Sequence, residues 1–254
     1  MNKSEYVKMA KFEREYWWHK GRLDLLDALI TKYTKGKNLR ILEIGCGTGE
    51  VTEYLQKYGE VIGLDFSDDA IEFCKQRNLE NIYKRDIVHT SVKEFTEKYG
   101  TFDLILTLDV MEHIREDSLV FEKIREMLKR NGIYIATVPA YKFLWSEHDE
   151  SLHHVRRYHS LEMIKKLEKA GFKVLKKTYF VSTMFPVIAF FRLWNNFFTR
   201  HVDPETSYIL LPNFLNDFMH KILKFEIRAM EKHSLPAGTT IVTVSTPTSF
   251  DKDK

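Results

Sequence analysis

The chain has 254 residues, 44% of them apolar and 30% charged, with a formal net charge of only +3. That length can bury a full core, and that composition excludes a disordered chain. Two cysteines exclude a disulfide framework, and no run reaches the ~18 apolar residues of a membrane-spanning helix.

In chain order, residues 1–11 are polar and charged, which is not the pattern of a signal peptide. Residues 4–20 read as a helix, with Ser4 as N-cap and Tyr6, Met9, Phe12, Glu13 and Tyr16 or Trp17 at helical spacing. It ends in Tyr16-Trp17-Trp18-His19-Lys20-Gly21-Arg22, and 24–33 continues as a second amphipathic helix. Adjacent tryptophans cannot share one core face, so this end is either a staple onto a sheet or a lid over a ligand. From 40 to 138 strands and helices alternate, with strands near 41–44, 60–64, 81–84, 102–108 and 132–138. The helices fall near 50–58, 68–77, 91–98 and 117–130, with Ser67 capping the second and Asn131-Gly132 ending the fourth by a left-handed turn. Such alternation means a parallel sheet covered on both faces, with ligands at the strand C-termini.

The first strand runs through Arg40-Ile41-Leu42-Glu43-Ile44 into Gly45-Cys46-Gly47-Thr48-Gly49. Alternating glycines permit positive φ and a close ligand, and aim backbone N–H groups over a helix N-terminus. A nucleotide-like ligand is the expectation. A dinucleotide fingerprint is spaced G-x-G-x-x-G, whereas here the third glycine comes one residue early and Glu50 follows. The second strand ends on Asp65, where a carboxylate can accept from both ribose hydroxyls. Arg85-Asp86-Ile87 follows the third strand and offers an acid for an adenine amine, with Ile87 against the ring. The fourth ends at Asp109, followed by Val110-Met111-Glu112-His113-Ile114.

As a set, Glu43 to Gly49, Gly63-Leu64-Asp65-Phe66-Ser67, Arg85-Asp86-Ile87 and Leu106 to Ile114 resemble the motifs of class I S-adenosylmethionine-dependent methyltransferases. The resemblance covers about residues 40–140. It implies an α/β fold with a Rossmann-like doubly wound sheet of seven strands, order 3-2-1-4-5-7-6, the last antiparallel. It also implies S-adenosylmethionine as cofactor and S-adenosylhomocysteine as product. The donor would lie across Gly45, Cys46, Gly47, Asp65, Phe66, Asp86, Ile87 and Leu108. Arg22 would reach its carboxylate, since a guanidinium binds carboxylates bidentately. Glu112 and His113 would shape the pocket wall near the sulfonium. Sharper readings make His113 a general base, or Asp109, Glu112 and His113 ligands of a divalent cation.

Residues 139–159 begin at the same sheet edge, after Pro139 ends the fifth strand, and hold four of the ten histidines with three carboxylates and two arginines. Ionisable groups packed this densely are costly unless paired or used. The run Pro139-Ala140-Tyr141, Leu144-Trp145-Ser146 and His148-Asp149, then His153-His154 and Arg156-Arg157-Tyr158, resembles one branch of methyltransferase-domain proteins. Tyr16-Trp17-Trp18 with Gly21-Arg22 recurs in that branch, which is linked with cell-surface glycan and lipid-linked sugar pathways. A hydroxyl acceptor needs a proton acceptor, and His148 held by Asp149 would serve, with His153 or His154 as substitutes. Arg156 and Arg157 suit a phosphate or carboxylate on the acceptor. Trp18, Tyr141, Trp145 and Tyr158 complete the expected acceptor site. An ion-paired loop that only closes the pocket, and a zinc site from His148, Asp149, His153 and His154, are the alternatives.

Ser160 opens a helix over 161–170, closed by Gly171, and a strand follows over 172–179. Segment 151–180 carries eight Lys or Arg against two Glu. The next helix, opened by Pro186, sets Met184, Val187, Phe191, Trp194 and Phe198 in one stripe, with Phe185, Ile188 and Phe190 off it. Beside a basic segment, such a helix suits an anionic membrane surface or lipidic acceptor, a dimer interface, or core. Residues 203–232 read as an insertion with a stripe of Phe214, Phe218, Ile222, Phe225 and Ala229, before a last strand over 239–245.

One methyltransferase domain is expected over 1–246, made of a helical lid (1–35), a donor-binding core (36–180), a helical insertion (181–236) and the last strand (237–246), with a flexible tail at 247–254. The expected reaction is O-methylation of a hydroxyl on a sugar, lipid-linked glycan or other small or lipidic acceptor, without metal or nucleic acid. The expected location is the cytoplasm or the inner membrane face, with contact through 180–200 or homodimerisation. An NAD-type dehydrogenase and a membrane-peripheral donor-binding protein without turnover are the rivals.

Overall fold

The computed structural model describes residues 3–198 and 211–248. Two helices, α1 (Lys3–Phe12) and α2 (Trp17–Tyr33), precede the first strand, β1 (Leu39–Ile44). Strands and helices then alternate through α3 (Glu50–Leu55), β2 (Gly59–Asp65), α4 (Asp68–Gln76), β3 (Ile82–Lys84), α5 (Val92–Tyr99), β4 (Phe102–Leu108), α6 (Asp117–Met127) and β5 (Leu128–Pro139). The chain continues through α7 (Glu147–Ser151), α8 (Ser160–Lys169), β6 (Phe172–Phe180), α9 (Phe185–Phe198), α10 (Asn213–Lys232) and β7 (Thr240–Pro247).

The seven strands form one sheet in the order β3-β2-β1-β4-β5-β7-β6. The first five run parallel, and β7 pairs antiparallel with both β5 and β6. This is the expected Rossmann-like arrangement. The two-residue period of the strands builds both faces. Leu42 and Ile44 of β1 join Tyr134 and Ala136 of β5 on one face, with α5, α6 and α8. Leu39, Ile41, Ile133 and Ile135 point the other way, against α2 and α10. Leu26 and Ile30 of α2 are completely buried there, and burying each such side chain is worth about 1.5–3 kcal/mol.

Several elements depart from the pattern read in the sequence. The first helix stops at Phe12 and a new one starts at Trp17, because Glu13 turns inward to accept from Thr48 and pair with Arg77. The Trp17 N–H then donates to Asn216 Oδ1 at 2.8 Å. Gly21 does not interrupt α2, since α10 packs so closely that a Cβ would lie 2.3 Å from Leu223 Cδ1. The helix before β5 ends at Met127 and Leu128 is already extended, so Asn131-Gly132 lies inside the strand.

The exposed aromatics gather on α9 and α10. Val187, Phe191 and Trp194 of α9 face outward, whereas Met184 and Ile188 pack on the core. In α10 the predicted stripe is on the outside, with Phe214 at 76% and Phe225 at 72% exposure. The buried face is instead Leu223, Glu226, Ile227 and Met230. The expected start of the insertion, at 203–204, lies outside the described residues, as do 249–254 of the tail. Thr248 is tied to the Gly171 carbonyl at 2.9 Å, and β7 reaches Pro247, so the tail begins later than expected. Among the described residues no helix is long and apolar enough to cross a membrane.

Candidate active site

The site lies at the C-terminal ends of the parallel strands. Gly45, Gly47 and Gly49 all take positive φ, at 78°, 55° and 85°, as the spacing of glycines in the sequence requires. A Cβ on Gly45 would lie 2.4 Å from Val110 Cγ2, so this turn is pressed against the segment after β4. Its N–H groups are not open to a ligand as the sequence suggests. Gly45 and Cys46 donate to the Leu64 carbonyl at 2.7 and 3.0 Å, and Gly47 donates to Asp65 Oδ2 at 3.0 Å. With these donors engaged the turn is not a phosphate cradle, which weighs against the dinucleotide alternative. Asp65 Oδ1 accepts from the Ser67 N–H at 2.9 Å. Burial raises the Asp65 carboxyl above its usual range, and these two N–H groups partly offset that.

Phe66 beside Asp65 is exposed, and Leu108 and Cys46 are buried under the turn. Cys46 Sγ meets Cys74 Sγ at 3.9 Å. Asp86 is more local than expected, bonding the Val88 N–H and the His89 ring, both at 2.8 Å. Ile87 is buried, in the core cluster that also holds Phe95 and Leu64.

Helices α1 and α2 cover the turn. Tyr6 is buried with its hydroxyl bonded to the Ser67 side chain, and burial and the nearby Asp65 push it up to about 12. A Cβ on Gly47 would stand 3.1 Å from Met9 Cε. Tyr6 and Met9 fall on one face of α1 and Glu13 follows just past its end, and only their helical spacing in the sequence could have pointed to them. Arg22 lies over the Trp18 ring at 4.9 Å, with Nη2 3.4 Å from His19 Nδ1 and a buried Nε that has no partner. Burial raises Glu43 to about 8 and Glu50 to about 7, and Arg22 opposes both shifts. Arg22 therefore sits among weakly ionised carboxyls, with hydrogen-bonding capacity left for a ligand carboxylate.

Beyond β4, Asp109 adopts a left-handed φ of 56°. Its N–H and Oδ1 meet Thr137 Oγ1 at 3.1 and 3.2 Å, and its Oδ2 is buried without a partner. Glu112 is completely buried, and burial followed by Asp109 pushes its carboxyl well above the usual range. The His113 ring meets the His154 ring edge-on at 4.7 Å, and burial lowers His113 to about 3.

Segment 139–159 is wired differently from the sequence expectation. Asp149 holds His154 and Arg157, not His148. Its Oδ1 takes His154 Nδ1 at 2.8 Å and Arg157 Nε at 2.7 Å, while Oδ2 accepts from the Ser146 N–H at 2.9 Å. Burial works against the Asp149 charge, but the bonds from His154 and Arg157 outweigh it and hold the carboxyl below the usual range. The Ser146 and Asp149 pair is a capping box on α7, a spacing legible in the sequence. His148 stands 6.5 Å from the His154 ring and is lowered to about 4 by burial and Arg192.

Three expected acceptor contacts are corrected in the same way. Tyr158 is fully buried and its hydroxyl donates to Asp117 Oδ2 at 2.8 Å. Arg157 is buried and also donates to the Ala140 carbonyl at 3.0 Å. Arg156 is committed to Asp117 at 2.8 Å. Tyr141 is partly open, stacked on Tyr179 at 5.4 Å and packed against Phe185 of α9. Trp145 is half-buried and Trp18 partly buried, while His153 is exposed in a left-handed conformation. The sequence reading missed Arg192 of α9, which donates to the Leu144 carbonyl at 3.1 Å and is lowered to about 10 by burial and Arg157.

This sheet, with β7 antiparallel between β5 and β6, is that of the class I methyltransferase fold. Residues 41–132 match the family model described as methyltransferase domain. A ubiquinone biosynthesis O-methyltransferase of Pelagibacter ubique (strain HTCC1062) is 30% identical over 158 residues, covering 54% of this chain and 65% of that protein. The protein of the same name from Mesorhizobium japonicum (strain LMG 29417 / CECT 9101 / MAFF 303099) is 36% identical over 104 residues, 40% of this chain and 42% of that one. The matches thus span less than two thirds of these relatives. In fold, the chain resembles the magnesium protoporphyrin IX methyltransferase of Synechocystis PCC 6803 solved with bound SAH, with a TM-score of 0.55, 14% identity, and coverage of 91% of this chain and 83% of that one.

Proposed function

We propose that the chain is an S-adenosylmethionine-dependent methyltransferase that acts on a hydroxyl group of a small or lipid-carried acceptor. The observation that carries the reading is the antiparallel β7 between β5 and β6, where a six-stranded dinucleotide sheet runs 3-2-1-4-5-6. In this reading Asp65 takes the ribose hydroxyls, Gly45, Cys46, Gly47 and Leu108 line the donor, and Phe66, Asp86 and Ile87 lie on its adenine side. Arg22 takes the donor's carboxylate. The acceptor enters past Trp18, Tyr141, Trp145 and His153, and its oxygen meets the group formed by Glu112, His113 and His154. Asp149, Arg157 and Tyr158 act from behind, as positioning residues.

Methyl transfer is an in-line displacement, so the protein supplies proximity, alignment and a way to stabilise the acceptor oxygen as its proton leaves. Transfer to oxygen is supported by the likeness to the two ubiquinone biosynthesis O-methyltransferases. The exposed aromatics of α9 beside the acceptor segment favour a lipidic acceptor or a membrane surface. Calorimetry with S-adenosylhomocysteine and with NAD tests the donor: NAD binding without S-adenosylhomocysteine binding sinks the reading. Methyl-labelled donor incubated with a membrane and cytosol extract tests the acceptor. Label in the organic phase supports a lipid-carried hydroxyl; label in water moves the acceptor to a soluble sugar or metabolite.

A further inference from the structure

Glu112, His113 and His154 bring one carboxylate oxygen and two imidazole nitrogens within 4.8 Å of one another. The group exists only because two distant segments meet, pinned where the Val155 N–H donates to the Glu112 carbonyl at 2.9 Å. Both Glu112 carboxylate oxygens are buried and have no hydrogen-bond partner. Leaving such a group unsatisfied is costly, and more so when it is charged. His154 Nε2 stops 3.9 Å from Glu112 Oε1, too far for a hydrogen bond. Both imidazoles are also held from behind: His154 Nδ1 by Asp149 Oδ1 at 2.8 Å, and the His113 ring by a hydrogen bond to the His153 backbone. That support orients a metal-ligating histidine and leaves its second nitrogen facing the ion.

We infer that Glu112, His113 and His154 bind one zinc-type divalent cation, with a fourth position open to the acceptor's oxygen. Two imidazoles and one carboxylate suit zinc, and three protein ligands leave the open position that a reactive site requires. Ligand distances of roughly 2.0–2.2 Å place neighbouring donors about 3.4 Å apart. The 3.9 Å gap between Glu112 and His154 therefore closes by about half an ångström on binding. The ion would also complete the unpartnered Glu112 carboxylate. Its role, though not its binding, rests on the methyltransferase reading. The acceptor hydroxyl occupies the open position and gives up its proton to solvent water. An oxygen lone pair then attacks the donor's methyl carbon. The O–CH3 bond forms as the S–CH3 bond breaks, and that bond's electron pair stays on sulfur.

The test is calorimetric titration of the EDTA-stripped full chain with Zn2+, with Co2+ as a visible-absorption probe. The expected result is one equivalent bound, with the spectrum of four-coordinate Co2+. Glu112→Gln, His113→Asn and His154→Asn should each weaken Zn2+ binding at least ~100-fold, and Asp149→Asn ~10–100-fold. No Zn2+ binding by the stripped wild type, or equal binding by all three ligand variants, overturns the inference. If a histidine variant fails to fold by circular dichroism, the isosteric Glu112→Gln decides alone. S-adenosylhomocysteine binding on the same sample keeps the two readings apart. Metal without S-adenosylhomocysteine leaves the metal site and removes the methyl-transfer role; the reverse removes the metal site only.

Discussion

The two sides of the site use the same residue types in opposite ways. On the donor side carboxyls are buried with little compensation: Glu43 has Thr52 and a distant Arg22, and burial raises it to about 8. On the other side, Glu112 apart, the buried carboxyls Asp117 and Asp149 are surrounded by cations. Asp117 receives Lys166, Arg156 and Tyr158, and those bonds outweigh burial to hold it below the usual range. Asp149 receives Arg157 and His154. A carboxyl left nearly neutral costs little to bury, whereas an ionised one is stable there only while its partners remain. The first side thus carries nearly neutral buried carboxyls, and Asp117 and Asp149 on the second belong to charges locked to one another.

Breaking that lock should have the largest effect. Asp149→Ala leaves the buried Arg157 without its counter-charge and should cost about 3–5 kcal/mol in urea unfolding. A loss below 1 kcal/mol would show that the pair is not what holds segment 139–159. Asp117→Asn should cost somewhat less, about 3 kcal/mol, because Lys166 and Arg156 are partly exposed and can turn to water. On the donor side Asp65→Ala should leave unfolding less affected than either and weaken S-adenosylhomocysteine binding by roughly 1.5–3 kcal/mol, read by calorimetry. Unchanged affinity rejects the ribose role.

The last expected effect is a change of slope rather than a loss. Glu43 has a raised pKa in the folded state, so its contribution is fully present below the unfolded value, about 4.5. It is lost as pH rises through about 8, because over that range the unfolded chain has released a proton that the fold retains. Glu43→Gln keeps an acceptor for Thr52 but cannot titrate, so unfolding free energy should vary less between pH 5 and 8 than in the wild type. Asp117 acts with the opposite sign: its stabilisation is present above the unfolded carboxyl range and fades as acid protonates it. Asp117→Asn should flatten the acid side only. Equal flattening on both sides in either variant would contradict the contrast between the two regions.

Much of the donor half was legible in the sequence because its chemistry is local. Alternating glycines require left-handed backbone, strands end on acids, and a two-residue period places each strand's two faces. Gly45, Gly47 and Gly49 take those conformations, and the second strand ends on Asp65 as read. The sheet order followed from motif resemblance, and the fold has it.

Only the tertiary structure decided the rest. Periodicity finds an apolar stripe on a helix but not which stripe meets a neighbour. In α10 the phenylalanines are outside, because Leu223 is the side chain that fits against Gly21. Charge density in 139–159 marked a working segment but could not say who pairs with whom. Adjacent His148 and Asp149 looked like partners, yet Ser146 caps α7 through Asp149 and turns that carboxylate toward Arg157 and His154. A hydrogen bond goes to whichever donor the chain's return path brings within about 3 Å. For Glu112 and His154 that path runs through β5 and α7, so their meeting belongs to the fold and not to any short stretch of residues.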